Sequence, residues 1–327
     1  MKLLFVGDVM LGRLVNRELK RRPPEHPWGD TLAVFREADL RFCNLECAVS
    51  DRGQPWSMTP KTFHFRTDAK NVAVLKAAGM DAVSLANNHA LDFEYEALYD
   101  TLDILDSSGI ARAGAGRNIA EASRPTFLNA NGVRVAFIAF TDNEPGWEAG
   151  DDRGGVYYVP INTKDTRAEG LFDRVRRARA ESDIVIASAH WGPNWGYRPV
   201  TDHIPFARAL VDAGASVVFG HSCHVFQGIE LYKGAPIIYG AGDFIDDYAV
   251  DEIERNDESF IFTAEFEGGR FSGMTLQPTI IAGFQARLAR TPRAELISAK
   301  MQTLCAGFGT ITEWDEGGNR LKVLPQG

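Results

Sequence analysis

Short apolar runs that end abruptly in polar residues recur along the chain, and several are followed by stretches with helical spacing. Continuous β-branched or aromatic runs of this kind are typical of strands that are buried on both faces of a sheet. The runs are KLLFVGD (2–8), DLRFCNLE (39–46), DAVSLANNH (81–89), DIVIASAH (183–190), SVVFGHSCH (216–224) and APIIYGAGD (235–243). Helical spacing follows at 68–79, 93–109 and 204–214. The pattern therefore predicts several βα units.

Three hairpins are predicted between these units. Two-residue turns that contain Gly join strand-like runs at Asn131-Gly132 (125–140), Lys233-Gly234 (230–240) and Gly268-Gly269 (259–281). A mixture of hairpins and βα units favours a mixed-sheet or two-sheet α/β domain over a purely parallel sheet. No linker rich in Pro, Gly or Ser divides the chain. We expect one main domain over 1–285, with 286–327 adding a closing helix and strands to it.

Polar side chains follow these predicted strands at the point where each strand ends. In α/β sheets, ligands bind beyond the carboxyl ends of the strands. A single histidine there is more often structural than functional, but here several strands contribute. The residues are Asp8, Asn44, Glu46, Asn87, Asn88, His89, His190, His221, His224 and Asp243. Mixed carboxylate, imidazole and amide groups suit Mn²⁺, Fe²⁺, Zn²⁺ or Ca²⁺, so we predict a divalent metal site.

Composition and charge indicate which classes of partner and which cellular location to expect. The chain has 327 residues, 45% hydrophobic and 24% charged, with a net charge of −9. An acidic protein is a poor ligand for nucleic acid. No stretch approaches the ~20 apolar residues that span a bilayer, and the apolar run before Asp8 is too short for a signal peptide. We expect a cytoplasmic protein with a small-molecule or peptide substrate. Its oligomeric state is not indicated. The four cysteines lack metal-site spacing and are expected to be free, buried thiols.

The order of the polar motifs carries a family resemblance. The motifs are GDVMLGR (7–13), NLE (44–46), ANNHALD (86–92), HWG (190–192), GHSCHVFQG (220–228) and YGAGDF (239–244). Together they resemble the CapA family of capsule, or poly-γ-glutamate, synthesis proteins, within the calcineurin-like metallophosphoesterase superfamily. The resemblance implies a four-layer α/β sandwich, in which two mixed β-sheets are flanked by helices and the metal site lies at one end.

The resemblance also implies roles for individual residues. The metal ligands would be Asp8, Glu46, Asn88, His190, His221 and His224. His89 would be the general acid/base, and His224 is a further candidate for proton transfer. Asp92 follows His89 by three residues and could hold its imidazole in one tautomer, or cap the following helix.

Three departures from the family pattern affect the metal prediction. Met10 stands where phosphoesterases of this type carry a histidine, the second motif is Asn-x-Glu, and His221 and His224 are separated by two residues. Loss of an imidazole should weaken one metal position. We therefore expect one firmly bound divalent ion, with the second weak or absent.

Other residues are candidates for substrate binding. Arg13 could bind a carboxylate or phosphate through its planar guanidinium, or form a structural ion pair. Trp191 and Trp195 bracket a Gly/Pro-rich loop and could form an aromatic wall, or simply pack locally. Asn44 is a further candidate for substrate binding. Asp243 could orient a ligand histidine from behind.

Three functions remain open from the sequence. The first is a metal-dependent hydrolase of a peptide-like γ-glutamyl amide or a phosphoester, linked by resemblance to capsule synthesis. The second is a metal-dependent epimerase that inverts a peptide Cα with paired acid/base residues, His89 with His224 or His190. The third is a ligand-binding domain without catalysis.

Overall fold

The apolar runs form strands in a computed structural model that describes residues 1–325. The strands are β1 (Lys2–Val9), β2 (Leu40–Leu45), β3 (Ala48–Val49), β4 (Arg66–Thr67), β5 (Ala82–Ser84), β6 (Ala111–Ala113), β7 (Ala115–Gly116), β8 (Thr126–Ala130), β9 (Val133–Thr141), β10 (Gly155–Val156), β11 (Ile184–His190), β12 (Val217–His221), β13 (Ile229–Tyr232), β14 (Ala235–Ile238), β15 (Asp243–Ile245), β16 (Glu258–Glu267), β17 (Arg270–Ile281), β18 (Ala286–Leu288), β19 (Thr312–Asp315) and β20 (Arg320–Val323).

Helices fill the connections between these strands. The α-helices are α1 (Arg13–Glu18), α2 (Leu32–Phe35), α3 (Val72–Ala77), α4 (Glu94–Ser107), α5 (Ile119–Ala122), α6 (Thr166–Glu181), α7 (His203–Asp212) and α8 (Arg293–Ala306), and 3₁₀ turns cover His26–Thr31, Ala69–Asn71 and Pro145–Trp147. Three predicted strands are shorter than expected, because they end at Ser84, His221 and Ile238. The predicted helix at 68–79 is divided between a 3₁₀ turn and α3.

Two large mixed sheets carry most of the strands. The ten-stranded sheet has the order β19-β20-β17-β16-β1-β2-β5-β6, with β15 beside β1 and β18 beside β17. The six-stranded sheet has the order β13-β14-β12-β11-β9-β8. The three predicted hairpins are confirmed as β8–β9, β13–β14 and β16–β17.

Aromatic side chains join the two sheets face to face. Phe5 of β1 stacks on Phe42 of β2 at 5.3 Å between ring centroids, and contacts Phe219 of β12 at 5.2 Å. Phe42 in turn contacts Phe137 of β9 at 5.2 Å. These rings are fully buried, so they form an apolar layer between the sheets.

The alternate side chains of the same strands face outward and are covered by helices. Leu4 of β1 packs in one outer layer with Leu98 of α4. Val218 of β12 packs in the other with Val175 of α6 and Phe206 of α7. Because side chains alternate along a strand, each sheet buries both faces. The result is the four-layer sandwich of two mixed sheets flanked by helices, as the resemblance implied.

The parallel strands end together at one edge of the sandwich. In the ten-stranded sheet, Asp8 is the register partner of Asn44 on one side and of Asp243 on the other. In the six-stranded sheet, His190 is the partner of His221. The register therefore brings these polar side chains to adjacent edges of the two sheets.

Gly7 permits the close approach that places Asp8. A Cβ at Gly7 would lie 1.8 Å from the carbonyl oxygen of Gly242, which accepts a hydrogen bond from the Asp8 amide at 3.0 Å. We expect Gly7→Ala to lower the free energy of unfolding by roughly 1–3 kcal/mol, because the backbones must separate. Urea unfolding would measure the loss. Gly146→Ala is the control, because a Cβ there meets open space. Equal stability of the two variants would contradict this account.

The segment after residue 285 packs on both sheets. β18 pairs with β17, β20 extends the ten-stranded sheet, and α8 buries Ile297 and Met301 in the layer between the sheets. Positions 326 and 327, the end of the predicted closing segment, lie outside the described residues.

The cysteines and the helix lengths bear on two predictions made from composition. The cysteines are free and buried, as predicted, at Cys43, Cys47, Cys223 and Cys305. Over residues 1–325, no helix has both the length and the apolar character that crossing a bilayer requires.

Candidate metal centre

Asp8 is fixed at the centre of the polar edge. It is almost completely buried, and its Oδ1 accepts a hydrogen bond from Asn44 Nδ2 at 2.8 Å, while its Oδ2 accepts from the Ser222 amide at 3.3 Å. Asn44 is itself held because Asn87 Nδ2 donates to its Oδ1 at 2.9 Å. The neighbouring amides thus set the direction of the Asp8 carboxylate. Asn44, which was predicted to bind substrate, is fully buried behind this carboxylate.

Asp8, His190 and His221 form a first group of convergent donor atoms. One ligand atom from each residue lies within 4.8 Å of the others, and Nδ1 of His190 is 2.9 Å from Nδ1 of His221. Ser188 Oγ lies 2.8 Å from His221 Nε2, and Asn88 Oδ1 lies 2.9 Å from His190 Nε2. Both nitrogens of His190 therefore face other candidate ligands.

Asp8, His224 and Asp243 form a second group. Their ligand atoms also lie within 4.8 Å, and His224 Nδ1 is 3.0 Å from Asp243 Oδ1. Asp243, predicted only to orient a histidine, is thus at a distance from which it could itself ligate. Met10 has neither an imidazole nor a carboxylate, and its Sδ accepts a hydrogen bond from the Gly12 amide at 3.0 Å. Asp8 belongs to both groups.

Glu46 lies between the donor groups and the candidate acid/base. It is buried; its Oε2 is 3.5 Å from Asn44 Nδ2 and its Oε1 is 3.6 Å from His89 Nε2. Glu46 also lies close enough to Asp8 for a side-chain hydrogen bond, but it belongs to neither donor group, so its role as a metal ligand stays a prediction.

The His89 imidazole is held by Asp92 and by the Phe65 ring. Its Nδ1 lies 2.5 Å from Asp92 Oδ2, and that same oxygen accepts a hydrogen bond from the Phe65 amide at 2.6 Å. The Phe65 ring stacks on the imidazole at 4.0 Å between centroids. Since Nδ1 is engaged by Asp92, Nε2 is the nitrogen that remains for chemistry. Asp92 therefore occupies the position predicted for a residue that fixes the tautomer.

Burial shifts the pKa values of the carboxyls and of the imidazoles in opposite directions. It raises the pKa of the Asp8 carboxyl. It also raises the pKa values of Glu46 and Asp243, and repulsion from the nearby Asp8 charge raises these two further. Burial also lowers the pKa of His190 well below its usual range and that of His221 to about 3. The imidazoles are thus neutral, which is the form that binds metal, and a cation would relieve the repulsion among the crowded carboxyls. These donors fit a divalent ion.

The shifts predict how pH affects the ion-free protein. In the unfolded chain the Asp and Glu carboxyls have pKa values near 3.8 and 4.5. Because the folded protein holds these protons to a higher pH than the unfolded chain does, the carboxyls lower the free energy of unfolding as pH rises. The histidines act oppositely, but only below about 6.5, their unfolded pKa. In EDTA we therefore expect these carboxyls to remove stability as pH rises through their raised folded pKa values, and Zn²⁺ or Mn²⁺ to restore more of it at higher pH, where the carboxyls have lost their protons. Melting temperatures would show this. A metal-induced increase that shrinks with pH would contradict it.

A cavity of about 550 Å³ opens beside the donor cluster, a size that suits a small-molecule ligand. Its wall includes the candidate residues Arg13, Glu46, Asn88, His89, Trp195 and His224. The Arg13 guanidinium also pairs with Asp247, with 3.2 Å between Nε and Oδ2. The structural ion pair, one alternative for Arg13, is thus observed, while binding of a substrate carboxylate or phosphate by Arg13 stays a prediction.

Trp191 does not take the predicted position on the substrate wall. It is buried in the outer layer of the six-stranded sheet, where its Nε1 donates to the Tyr239 carbonyl at 2.9 Å and its ring stacks on His203 at 4.8 Å. The reason is strand alternation: His190 points toward the cluster, so the next side chain points away from it.

Several residues of the cavity wall were not identified from the sequence, and Lys61, Glu144 and Tyr248 are among them. Lys61 and Glu144 lie on long loops at 50–66 and 141–155, and unusual loop length is the one signal that could have drawn attention to them. Tyr248 follows β15 and contacts the His224 ring at 5.1 Å.

The fold and the convergent donors define a four-layer α/β sandwich protein with a candidate metal centre at the strand ends. A family model described as the bacterial capsule synthesis protein PGA_cap matches residues 2–248. The chain therefore belongs to this family, which confirms the CapA resemblance.

Named relatives agree with this assignment. A probable polyglutamine synthesis accessory protein of Mycobacterium tuberculosis is 36% identical over 313 residues, covering 91% of this chain and 81% of that protein. The PGA biosynthesis protein CapA of Bacillus subtilis is 31% identical over 245 residues, covering 74% and 62%. The capsule biosynthesis protein CapA of Bacillus anthracis is 28% identical over 249 residues, covering 74% and 59%.

Solved structures give a more distant likeness. A hypothetical protein from Thermus thermophilus aligns with a TM-score of 0.53 and 20% identity, covering 85% of this chain and 98% of that one, which indicates a shared fold. A calcineurin-like phosphoesterase from Bacillus subtilis aligns with a TM-score of 0.46 and 12% identity, covering 93% and 96%.

Proposed function

We propose that this protein is a metal-dependent hydrolase that cleaves a peptide-like γ-glutamyl amide, with a phosphoester as the alternative substrate. One observation carries the proposal: His89, which Asp92 holds from behind, lies on the wall of a cavity that also reaches the candidate ligand His224. The names of the relatives, which refer to polyglutamine and PGA synthesis, favour the γ-glutamyl substrate.

The residues of the chain can divide the reaction between them. Asp8, Glu46, Asn88, His190, His221 and His224, with Asp243, would hold the ion. When bound, a divalent ion polarises a carbonyl or phosphoryl oxygen and makes water more acidic. Asp92 holds His89 so that Nε2 can accept a proton from the attacking water and deliver it to the leaving group. Arg13 would bind a carboxylate or phosphate of the substrate.

Metal analysis combined with a substrate panel tests the proposal. Protein purified without added metal would be analysed for bound metals, and then assayed with phosphoesters and with γ-glutamyl peptides. We expect one firmly bound equivalent and turnover of one substrate class. Bound metal without turnover of either class would contradict the hydrolase proposal and favour a ligand-binding domain.

An epimerase is the second candidate, because His89 and His224 line the same cavity and could act as a pair of proton carriers. His190 is less suited, since it is buried among the donors. The epimerase predicts that solvent deuterium enters the substrate at Cα. Full retention of the original hydrogen during turnover would exclude it.

A further inference from the structure

Lys61 is a buried cation beside the site, and it lies outside every motif that pointed to the metal centre. Its side chain is only 7% exposed. The Nζ atom donates to the Asn88 carbonyl oxygen at 2.6 Å and lies 3.4 Å from both Asp92 Oδ1 and Glu144 Oε1. A buried ammonium is costly unless it is paired. Lys61 donates hydrogen bonds to Asn88 and Glu144, and its charge lies beside the Asp92 carboxylate, whose Oδ1 has no hydrogen-bond partner among the described residues.

The contacts of Lys61 converge on the groups that the proposed reaction needs. Asn88 supplies a candidate ligand atom at its Oδ1, 2.9 Å from His190 Nε2. Asp92 is fully buried and holds His89, so its negative charge requires compensation in place. Lys61 supplies that compensation from a single ammonium group.

Lys61 also joins the two long loops that wall the cavity. It belongs to the loop at 50–66, while Glu144 belongs to the loop at 141–155, and the Lys61 ammonium lies 4.8 Å from the ring centroid of Trp147 in that second loop. Trp56 of the first loop contacts Trp147 at 5.3 Å, and its amide donates to the Asp92 carbonyl. The loops and the acid/base pair therefore share one packed junction.

We propose that Lys61 is a positioning residue, which acts by fixing the Asn88 backbone and the Asp92 carboxylate relative to each other. The expected effect on kcat rests on the proposed function, in which His89 transfers the proton. Lys61 acts through protein groups, because its ammonium is paired with Asn88, Asp92 and Glu144. Its loss should therefore lower kcat through a misplaced His89 and leave KM largely unchanged.

Variants of Lys61, with a matched lysine control, test this role. Lys61→Gln can still donate to the Asn88 carbonyl but carries no charge against Asp92, and Lys61→Arg retains the charge. Lys164→Met is the control, because Lys164 is exposed at the turn before α6. The first readout is the proton NMR signal of His89 Nδ1–H, which is assigned by its loss in Asp92→Asn. The second is kcat and KM on the substrate that the panel identifies.

We expect Lys61→Gln to shift or abolish the His89 signal and to lower kcat on the order of 10²-fold with KM unchanged. Lys61→Arg should recover most of that loss, and Lys164→Met should match wild type. An unchanged His89 signal or an unchanged kcat in Lys61→Gln would overturn the proposal. If Lys61→Gln does not fold, Lys61→Arg decides: a wild-type His89 signal supports the role, and loss of the signal despite the retained charge overturns it. The NMR readout needs no substrate, so absence of turnover in wild type would refute the hydrolase without touching this result.

Discussion

Replacing Asp8 with asparagine is expected to weaken divalent-ion binding by more than about 100-fold, the largest effect on affinity of any single substitution at this site. Asp8 belongs to both groups of convergent donors, so its loss removes a charged ligand from each. Titration calorimetry of EDTA-treated protein with Zn²⁺ and Mn²⁺ would measure the change.

The same substitution should not unfold the protein. Burial raises the pKa of the Asp8 carboxyl, so its ionisation costs stability in the absence of an ion. We therefore expect ion-free Asp8→Asn to melt no lower than ion-free wild type at pH 8. Asp142→Asn is the matched control: burial raises the pKa of Asp142 to about 6, but Asp142 lies outside both donor groups. Loss of ion binding in Asp142→Asn, or its retention in Asp8→Asn, would show that the centre is elsewhere.

Replacing His89 with asparagine is expected to lower kcat by about 10²–10⁴-fold and to leave ion affinity unchanged. The imidazole is held by Asp92 at 2.5 Å and is not a member of either donor group. Steady-state kinetics on the identified substrate, with calorimetry in parallel, would separate the two effects.

His26→Asn is the control for His89. His26 lies in the 3₁₀ turn before α2, and its Nδ1 is 3.0 Å from Gln285 Nε2, away from the donor cluster. This variant should keep wild-type kcat. Full activity of His89→Asn would remove His89 from the reaction and favour His224 as the proton carrier.

The fold was predictable because its signals are local and repeated. Buried strands such as β1 and β11 require long apolar runs, and Gly-containing turns such as Asn131-Gly132 specify hairpins from two residues. The boundaries were less certain. The strand expected to reach His89 ends at Ser84. The sequence did not predict this end, because polar residues can either continue a strand or begin a turn.

The candidate donors were predictable because topology places them. Residues at the carboxyl ends of parallel strands meet at one edge of their sheet, so Asp8 lies beside Asp243 in one sheet and His190 beside His221 in the other. Face-to-face packing of the two sheets then brings these residues together. Trp191 shows the limit of this argument. It follows His190 directly, yet alternation sends its ring to the opposite face, where it packs against His203.

Lys61 and Tyr248 could not be predicted, because nothing in the local sequence fixes where a loop residue will lie. Lys61 reaches the site only through partners that are distant in sequence, Asn88 and Glu144. Tyr248 reaches it because the chain after β15 turns back over the cavity. Both depend on tertiary contacts that a linear pattern does not contain.

The hydrogen bonding of β1 bears on how this family can be dissected. The family match ends at 248, but Leu3, Leu4 and Phe5 pair with β16, which begins ten residues later at Glu258. A polypeptide truncated at residue 248 would lack β16, so the backbone amides and carbonyls on that side of β1 would be unpaired and the Phe5 side chain would lose part of its cover. Such an edge recruits other strands, so the truncated product should self-associate instead of folding alone.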